Sequence, residues 1–481
     1  MSKTTPSPER PPLFSLVNLG CPKNTVDSEG LLAGMALAGF AFVEDPLEAD
    51  VCIVNTCGFL DASRREAKDA LDAIAAARDA AGEERPAIVA VGCAVERAGG
   101  DASLGGVLAS ADLCAGFADY PRLPDICRGL VRARRAAGYA GPRRLPAAYL
   151  SWLGEPRMRI GSPWSAYLKL GEGCSNCCAY CSIPLIRGRR ASRPARAILD
   201  EALRLAESGV RELTLIAQDT TAWGLDAMPP PHSPAAARWR APAAAPFAAL
   251  LRDLLAELPK RGIWLRVLYA HPRHLDDAIL DALVSDPRVC PYLDLPLQHV
   301  NDRVLRLMGR GYGRDRVDRL LAGLRVRWPG VAIRSTFIVG HPGETPGAYR
   351  ELLDFVRAGA IDHLGVFAWS PEPGTRSVAL DPSAARRVSS RLAASRRDEL
   401  MRAQATASRR LLRARVGTAT TFLPETWRRG AWHGRTPWQA PDGIDGETVV
   451  PAPESALHPG KIVPVRIASS ATYDLKAELR K

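Results

Sequence analysis

The 481-residue chain reads as an α/β protein in three parts. These are an N-terminal three-layer parallel α/β domain (13–128), a central partial (β/α)6 barrel (160–400) and a small all-β barrel (415–481). Near-continuous apolar runs alternate with helical patterns in two successive stretches, as buried parallel strands and their crossover helices do. A linker rich in Arg, Ala, Gly and Pro, about Gly129 to Pro163, separates the two. Beyond about residue 415 the apolar runs become short and are split by Gly and Pro. At roughly 100–200 residues per domain, this length exceeds one ordinary core.

In the first part, FSLVNLG (Phe14 to Gly20), VCIVNTC (Val51 to Cys57) and AIVAVGC (Ala87 to Cys93) are the strand runs. The second intervening helix carries a capping-box signature in Ser63 and Glu66, then apolar residues at helical spacing through Ala81. Cys21, Cys57 and Cys93 stand at or just past the strand C-termini, 36 residues apart in each case. Right-handed crossovers bring such ends to one sheet edge, where ligands bind in open α/β sheets. One cysteine there reads as a small core residue, whereas three at equivalent ends read as a shared ligand set. Cys52, Cys114, Cys127 and Cys290 lack such placement and read as core.

The central part has six strand runs: AYLKL (Ala166 to Leu170), ELTLIAQ (Glu212 to Gln218), WLRVLY (Trp264 to Tyr269), YLDLPLQ (Tyr292 to Gln298), AIRSTFIVG (Ala332 to Gly340) and HLGVFAW (His363 to Trp369). Function in such a barrel sits at the strand C-termini. A Pro/Ala-rich stretch from Asp226 to Pro246 reads as an exposed, poorly ordered insertion without chemistry. After an Arg-rich helical pattern near Ser389 to Arg415, TATTFL (Thr418 to Leu423), ETVVP (Glu447 to Pro451) and KIVPVRI (Lys461 to Ile467) predict the small barrel. Pro464 cannot donate to a ladder and puts its strand at an edge or on a bulge.

The N-terminus, MSKTTPSPERPP, lacks the apolar stretch of a secretion signal, and no apolar run is long enough to span a bilayer. A cytoplasmic protein without a membrane partner is expected. In that reducing compartment eleven cysteines argue for metal or catalysis over disulfides. The formal charge of +12 suits an RNA-containing partner, but only eight of the 64 basic residues are lysine and alanine abounds, so biased composition explains part of the excess.

Four cysteines crowd into GEGCSNCCAYCSIP, just after the first barrel strand. Zinc could take Cys174, Cys177, Cys178 and Cys181, but the adjacency of Cys177 and Cys178 strains a tetrahedron. The spacing Cys174-x3-Cys178-x2-Cys181 instead offers three thiolates to a four-iron cluster, leaving one iron open and Cys177 spare. A structural zinc protein that binds RNA without catalysis remains the alternative from another class.

CSNCCAYC in this position resembles the CxxxCxxC motif of radical S-adenosylmethionine enzymes. The resemblance implies that the open iron chelates S-adenosylmethionine, and that electron transfer cleaves it to a deoxyadenosyl radical that abstracts hydrogen from an unactivated carbon. It also implies an adenine-side position for Tyr180, an amino-group motif at AQDT with Gln218 and Asp219, and a ribose or adenine turn at Gly340 in VGHPGET. His341 stands where phenylalanine is usual in related sequences. The three parts together resemble the methylthiotransferases, whose C-terminal module is the TRAM barrel, and the resemblance covers nearly the whole chain. In that family the N-terminal cysteines, here Cys21, Cys57 and Cys93, hold a second [4Fe-4S] cluster that carries the added sulfur or methylthio group. One S-adenosylmethionine gives the methyl and another the radical. A monomer served by an external electron donor such as a flavodoxin or ferredoxin is implied; no catalytic side chain beyond the cluster ligands is assigned.

Two branches of the family differ in substrate. NLGCPKNTVDSEG, with Pro22 and Lys23 after Cys21, resembles the branch that modifies an aspartate of the twelfth protein of the small ribosomal subunit. YLDLPLQH, GRTPWQAPDGIDG (Gly434 to Gly446) and YDL (Tyr473 to Leu475) point the same way, although APDGIDG has one extra residue and VGCAVER departs from the commoner GCLAQR. The resemblance implies β-methylthiolation of that aspartate, with the C-terminal barrel docking the substrate. Methylthiolation of adenosine in tRNA is the runner-up.

Overall fold

The computed structural model describes residues 10–133, 147–153, 156–226, 245–380 and 385–480. Most of the Asp226 to Pro246 insertion, part of the interdomain linker and the first nine residues lie outside them. The chain forms two compact units: residues 1–160 with 172–174 and 182–189, and residues 161–171, 175–181 and 190–481.

The first unit is built on a parallel sheet ordered β2-β1-β3-β4-β5, from β1 (Leu13–Asn18), β2 (Ala41–Phe42), β3 (Val51–Thr56), β4 (Ala87–Gly92) and β5 (Leu113–Ala115). The three predicted strands are its centre, and the two short runs are its edges. Both faces are covered: Val51 and Ile53 of β3 enter one hydrophobic cluster, while Cys52 and Val54 enter another. That division gives three layers. Helices α1 (Pro22–Leu37), α2 (Asp61–Ala80) and α3 (Cys93–Gly100) come after β1, β3 and β4. The capping box expected at Ser63 is not formed. Helix α2 starts at Asp61 behind Leu60 without a side-chain cap, and the Ser63 hydroxyl instead bonds the Cys57 sulfur. Of the cysteines read as core, Cys52 and Cys127 are buried, and Cys114 is half-buried on β5. Cys290 is buried in the second unit.

Further along the chain β6 (Ser165–Lys169) is followed by β7 (Gly171–Glu172) and β8 (Ala191–Ser192), then by β9 (Glu212–Ile216), β10 (Trp264–Val267), β11 (Val289–Asp294), β12 (Ala332–Val339) and β13 (His363–Ala368). Six of these, β6 and β9 to β13, form an open parallel sheet in strict chain order. Its apolar core runs from Leu168, Leu213, Leu215 and Leu265 to Phe337 and Val366, under helices such as Ala195–Glu207 and Pro346–Ala358. The YLDLPLQ run is shifted: β11 starts three residues earlier, at Val289, and stops at Asp294, Pro296 interrupting a ladder that resumes as a bridge between Gln298 and Phe337.

The C-terminal segment closes into a barrel ordered β14-β15-β16-β18-β17, from β14 (Ala419–Arg428), β15 (Ala431–Arg435), β16 (Thr448–Val450), β17 (Val463–Ser470) and β18 (Leu475–Leu479). Pro464 is therefore not on an edge, and its strand carries a register shift, between Ile467 and Ser469. Its carbonyl accepts from Arg480 N, just past the end of β18. The missing donor thus falls where that ladder ends.

Candidate metal centres

The first centre is built from residues just past the C-terminal ends of three strands of the first sheet. Cys21 is the N-cap of α1, Cys57 comes directly after β3, and Cys93 opens α3. Helix N-termini favour thiolates, which suits Cys21 and Cys93 for metal. Backbone without side chains lets the three ends close in. A Cβ on Gly20 would lie 3.0 Å from Cys57 Cβ, one on Gly58 2.5 Å from the Cys93 carbonyl, and one on Gly92 2.3 Å from Asn55 Oδ1. Gly92 also has φ +93°, a region side chains rarely adopt. Asn24 ties the ends together, its Nδ2 donating to the carbonyls of Leu19 and Thr56 at 3.0 Å each.

Burial pushes the Cys93 thiol up to about 12, against the pull of Arg187, and each neighbouring thiol adds to the rise. Cys57 is raised chiefly by burial and also by Cys21. The three sulfurs are thus within electrostatic reach of one another. A metal centre would hold them deprotonated. A single zinc ion holds thiolates about 3.8 Å apart, from Zn–S bonds of about 2.3 Å. Among the described residues one His/Cys/Asp/Glu trio has ligand atoms all within 4.8 Å, and it contains no cysteine. The wider set of three thiols in a glycine-lined cradle fits a larger, four-iron group.

The second centre is the CxxxCxxC loop. Cys174, Cys178 and Cys181 are half-buried, whereas Cys177 is exposed. That pattern matches the spacing that leaves Cys177 spare. Cys178 and Cys181 sit on one turn, with Cys181 N donating to the Cys178 carbonyl. Two backbone bonds pin the loop at Ala179, whose N donates to Met308 O and whose carbonyl accepts from Ser377 N, each at 2.8 Å. The buried Arg310 donates to Cys178 Sγ at 3.2 Å, to the Tyr180 hydroxyl at 3.3 Å and to Pro296 O at 2.6 Å.

Known proteins match this arrangement part by part. The Radical SAM superfamily matches residues 168–356, uncharacterized protein family UPF0004 residues 14–112 and the TRAM domain residues 416–479. The chain is 40% identical over 474 residues to the ribosomal protein uS12 methylthiotransferase RimO of Symbiobacterium thermophilum, covering 98% of this chain and 91% of that protein. It is 38% identical to the RimO of Trichlorobacter lovleyi, with 97% of each covered, and 39% identical to that of Syntrophus aciditrophicus. The chain belongs to the RimO methylthiotransferase family. A solved radical S-adenosylmethionine methyltransferase, TsrM of Kitasatospora setae, shares the fold at a TM-score of 0.52 and 16% identity, over 74% of this chain and 73% of that one.

Within this methylthiotransferase, Gln218 and Asp219 follow β9 and Gly340 follows β12, whereas Tyr180 lies in the cysteine loop. Tyr180 packs beside Val304, Met308 and Ala348. Gln218 is half-buried just past β9. Asp219 is already engaged by protein: His274 Nδ1 and Asn176 Nδ2 each lie 2.7 Å from Oδ2, and Thr221 donates to Oδ1. Burial opposes its ionisation, yet the His274 bond holds the carboxyl below its usual range. Gly340 has a packing reason to be glycine, since a Cβ would lie 2.5 Å from Ala393 Cβ. His341 is fully buried and shares its ring nitrogens between Ser377 Oγ at 2.7 Å and Pro342 O at 2.9 Å.

Asp219, His271 and His274 are the trio within 4.8 Å. His271 Nδ1 accepts from Arg273 N, so the neutral ring carries its proton on Nε2, which has no hydrogen-bond partner among the described residues. Burial, then Arg310, pushes this ring down to about 3 and keeps it neutral. Both Asp219 oxygens are engaged: His274 bonds one directly, and Thr221, which donates to the other, accepts from the His271 backbone N. Sequence reading missed Arg187, Arg310, Asn24, His271 and His274. Each is one common polar residue without spacing or periodicity to mark it.

The segment GRTPWQAPDGIDG, read above for its resemblance to the ribosomal-protein branch, packs against the parallel sheet of the same unit. The segment turns inward. Arg435 reaches Glu212 at the start of β9, Asp445 accepts from the Tyr292 hydroxyl at 2.6 Å, and the Pro437 carbonyl accepts from Arg266 at 2.9 Å. Thr436, Gln439 and Ala440 are buried. These residues close the N-terminal end of the parallel strands, the end opposite the radical loop.

Proposed function

We propose that this chain adds a methylthio group to the β-carbon of an aspartate in the small-subunit ribosomal protein uS12. The observation that carries the reading is the pairing of two three-thiol sites, each at strand C-termini of a parallel sheet, in a chain whose relatives carry that activity in their names. Cys174, Cys178 and Cys181 hold one [4Fe-4S] cluster, and Cys21, Cys57 and Cys93 the other. Bound there, the clusters and S-adenosylmethionine supply the radical, the sulfur and the methyl group. The chain's own side chains position them. Arg310 holds the Cys178 sulfur, Ser377 and Met308 fix the loop at Ala179, and Tyr180, Gln218 and Gly340 line the cofactor side of the cup. The Asp219 network keeps a polar wall in place, and the neutral His271 Nε2–H offers a donor to a carboxylate. Burial of the target β-carbon against the cofactor is required by the short reach of a radical.

An external donor such as a flavodoxin or ferredoxin provides the electron, and the protein works as a cytoplasmic monomer. Among the described residues no helix is long and apolar enough to cross a membrane. The net charge of +12 supports docking on an RNA-bearing ribosomal particle.

The deciding experiment is the mass of uS12 from cells with and without this gene. A methylthio group on one aspartate, absent when the gene carries Cys178→Ala, is the expected result. Methylthio-adenosine in tRNA beside unmodified uS12 would overturn the substrate and leave the cluster chemistry standing.

A further inference from the structure

Arg187 lies six residues past Cys181 along the chain, yet its guanidinium is buried in the first unit at 2% exposure. Its Nε donates to Cys93 Sγ at 3.3 Å, Nη1 to Glu172 Oε1 at 2.7 Å, and Nη2 to Asn24 Oδ1 at 2.8 Å and Asp27 Oδ2 at 3.1 Å. The guanidinium lies over the Phe117 ring, 4.6 Å from its centroid. The Tyr149 hydroxyl lies 2.8 Å from Asp27 Oδ1 and 3.3 Å from Glu172 Oε1, the oxygen that Arg187 Nη1 also bonds. Asn24, which orients Nη2, is also the side chain that ties the ends bearing Cys21 and Cys57.

A guanidinium serving only as counter-ion to Asp27 and Glu172 has no need of sulfur, because two carboxylates already exceed its single charge. Here one N–H is directed at a ligand sulfur. Such a bond withdraws electron density from the thiolate, and the adjacent positive charge favours the more reduced, more negative form of a cluster. Asp27 and Glu172 act in the opposite sense.

We propose that Arg187 is a positioning residue of the N-terminal cluster, holding the Cys93 sulfur and, with Asp27 and Glu172, setting that cluster's reduction potential. The inference rests on Cys21, Cys57 and Cys93 holding a cluster. The test uses the full chain with Cys174→Ala, Cys178→Ala and Cys181→Ala, reconstituted anaerobically so that the N-terminal cluster alone is present. A potentiometric titration read by electron paramagnetic resonance then compares this parent with Arg187→Lys and Glu172→Gln. Lysine keeps the charge but loses the planar fork. The midpoint should fall in Arg187→Lys and rise in Glu172→Gln, at unchanged iron content. Coincident midpoints for parent and both variants would make Arg187 merely structural and overturn the proposal. If Arg187→Lys fails to hold iron, the direction of the Glu172→Gln shift decides alone, and an unshifted or lowered midpoint overturns it. A parent that takes up no iron would instead sink the cluster assignment beneath it.

Discussion

His341 explains itself only through what it touches. Its ring is fully buried, with Nδ1 donating to Pro342 O and Nε2 paired with the Ser377 hydroxyl. Ser377 N in turn holds the Ala179 carbonyl of the radical loop. Burial pushes the ring down to about 4. The unfolded ring protonates below about 6.5 while the folded ring refuses the proton until about pH 4. Stability from this group is therefore complete above about pH 6.5 and lost as pH falls toward 4, about 3 kcal/mol in all. His341→Phe should flatten that limb. Between pH 7 and pH 5 the wild type should lose about 2 kcal/mol more than the variant in urea unfolding. Parallel pH curves would show that the ring is protonated in the native fold. Phenylalanine also strips Ser377 of its acceptor, at a cost of about 1 kcal/mol at pH 7.

At the scale of elements, the first centre depends on strand ends packed closer than side chains allow. Gly58 has an ordinary φ, so its constraint is space: a Cβ would meet the Cys93 carbonyl at 2.5 Å and Ala94 N at 2.7 Å, both rigid backbone. Gly58→Ala should cost about 1–3 kcal/mol as overpacking does. It should also separate Cys57 from Cys93, so that iron uptake falls toward half while the radical cluster is retained. Gly106→Ala, with nothing within 4 Å of the added methyl, is the control. Full iron content in Gly58→Ala would mean that the three ends can relax apart and still bind.

The same elements show what the sequence makes legible. Buried parallel strands announce themselves as apolar runs, so three central strands of the first sheet and all six of the second were readable, as were the cysteines at their ends. Two strands of the small barrel were not. β15 (AWHGR) and β18 (LKAEL) mix charges with apolar residues on a surface barrel and have no continuous run. The capping box failed because the helix starts two residues before Ser63, at Asp61, which puts Ser63 inside the first turn with its hydroxyl on the Cys57 sulfur. Arg187 and Arg310 are invisible for another reason. In a chain with 64 basic residues, which two bond sulfur depends on the fold.

For the molecule as a whole, the C-terminal segment is an internal brace of the second unit. Glu212, fully buried at the foot of β9, is bracketed by Arg266 Nε at 2.6 Å and Arg435 at 2.5 Å. Burial alone would raise its carboxyl, but the two guanidinium groups outweigh it and hold it down at about 2. Arg435 comes from β15 and Arg266 from β10, so one carboxylate joins the small barrel to the parallel sheet. Glu212→Gln leaves two buried cations facing each other. Breaking a buried pair in this way costs about 3–5 kcal/mol. Thermal unfolding of the second unit should move to markedly lower temperature, while the N-terminal cluster keeps its iron. The depressed carboxyl sets the sign with pH: its contribution is present above about 4.5 and is lost as pH falls toward 2, a limb that Gln should abolish. Removing residues 416–481 should destabilise the sheet as Glu212→Gln does, because Arg266, Tyr292 and Arg334 lose the partners that Pro437 and Asp445 provide. A truncated chain that melts with the intact one would mean the brace contributes nothing. Loss of uS12 modification in it could then be assigned to substrate docking, whereas a chain that melts early loses activity for want of a sheet.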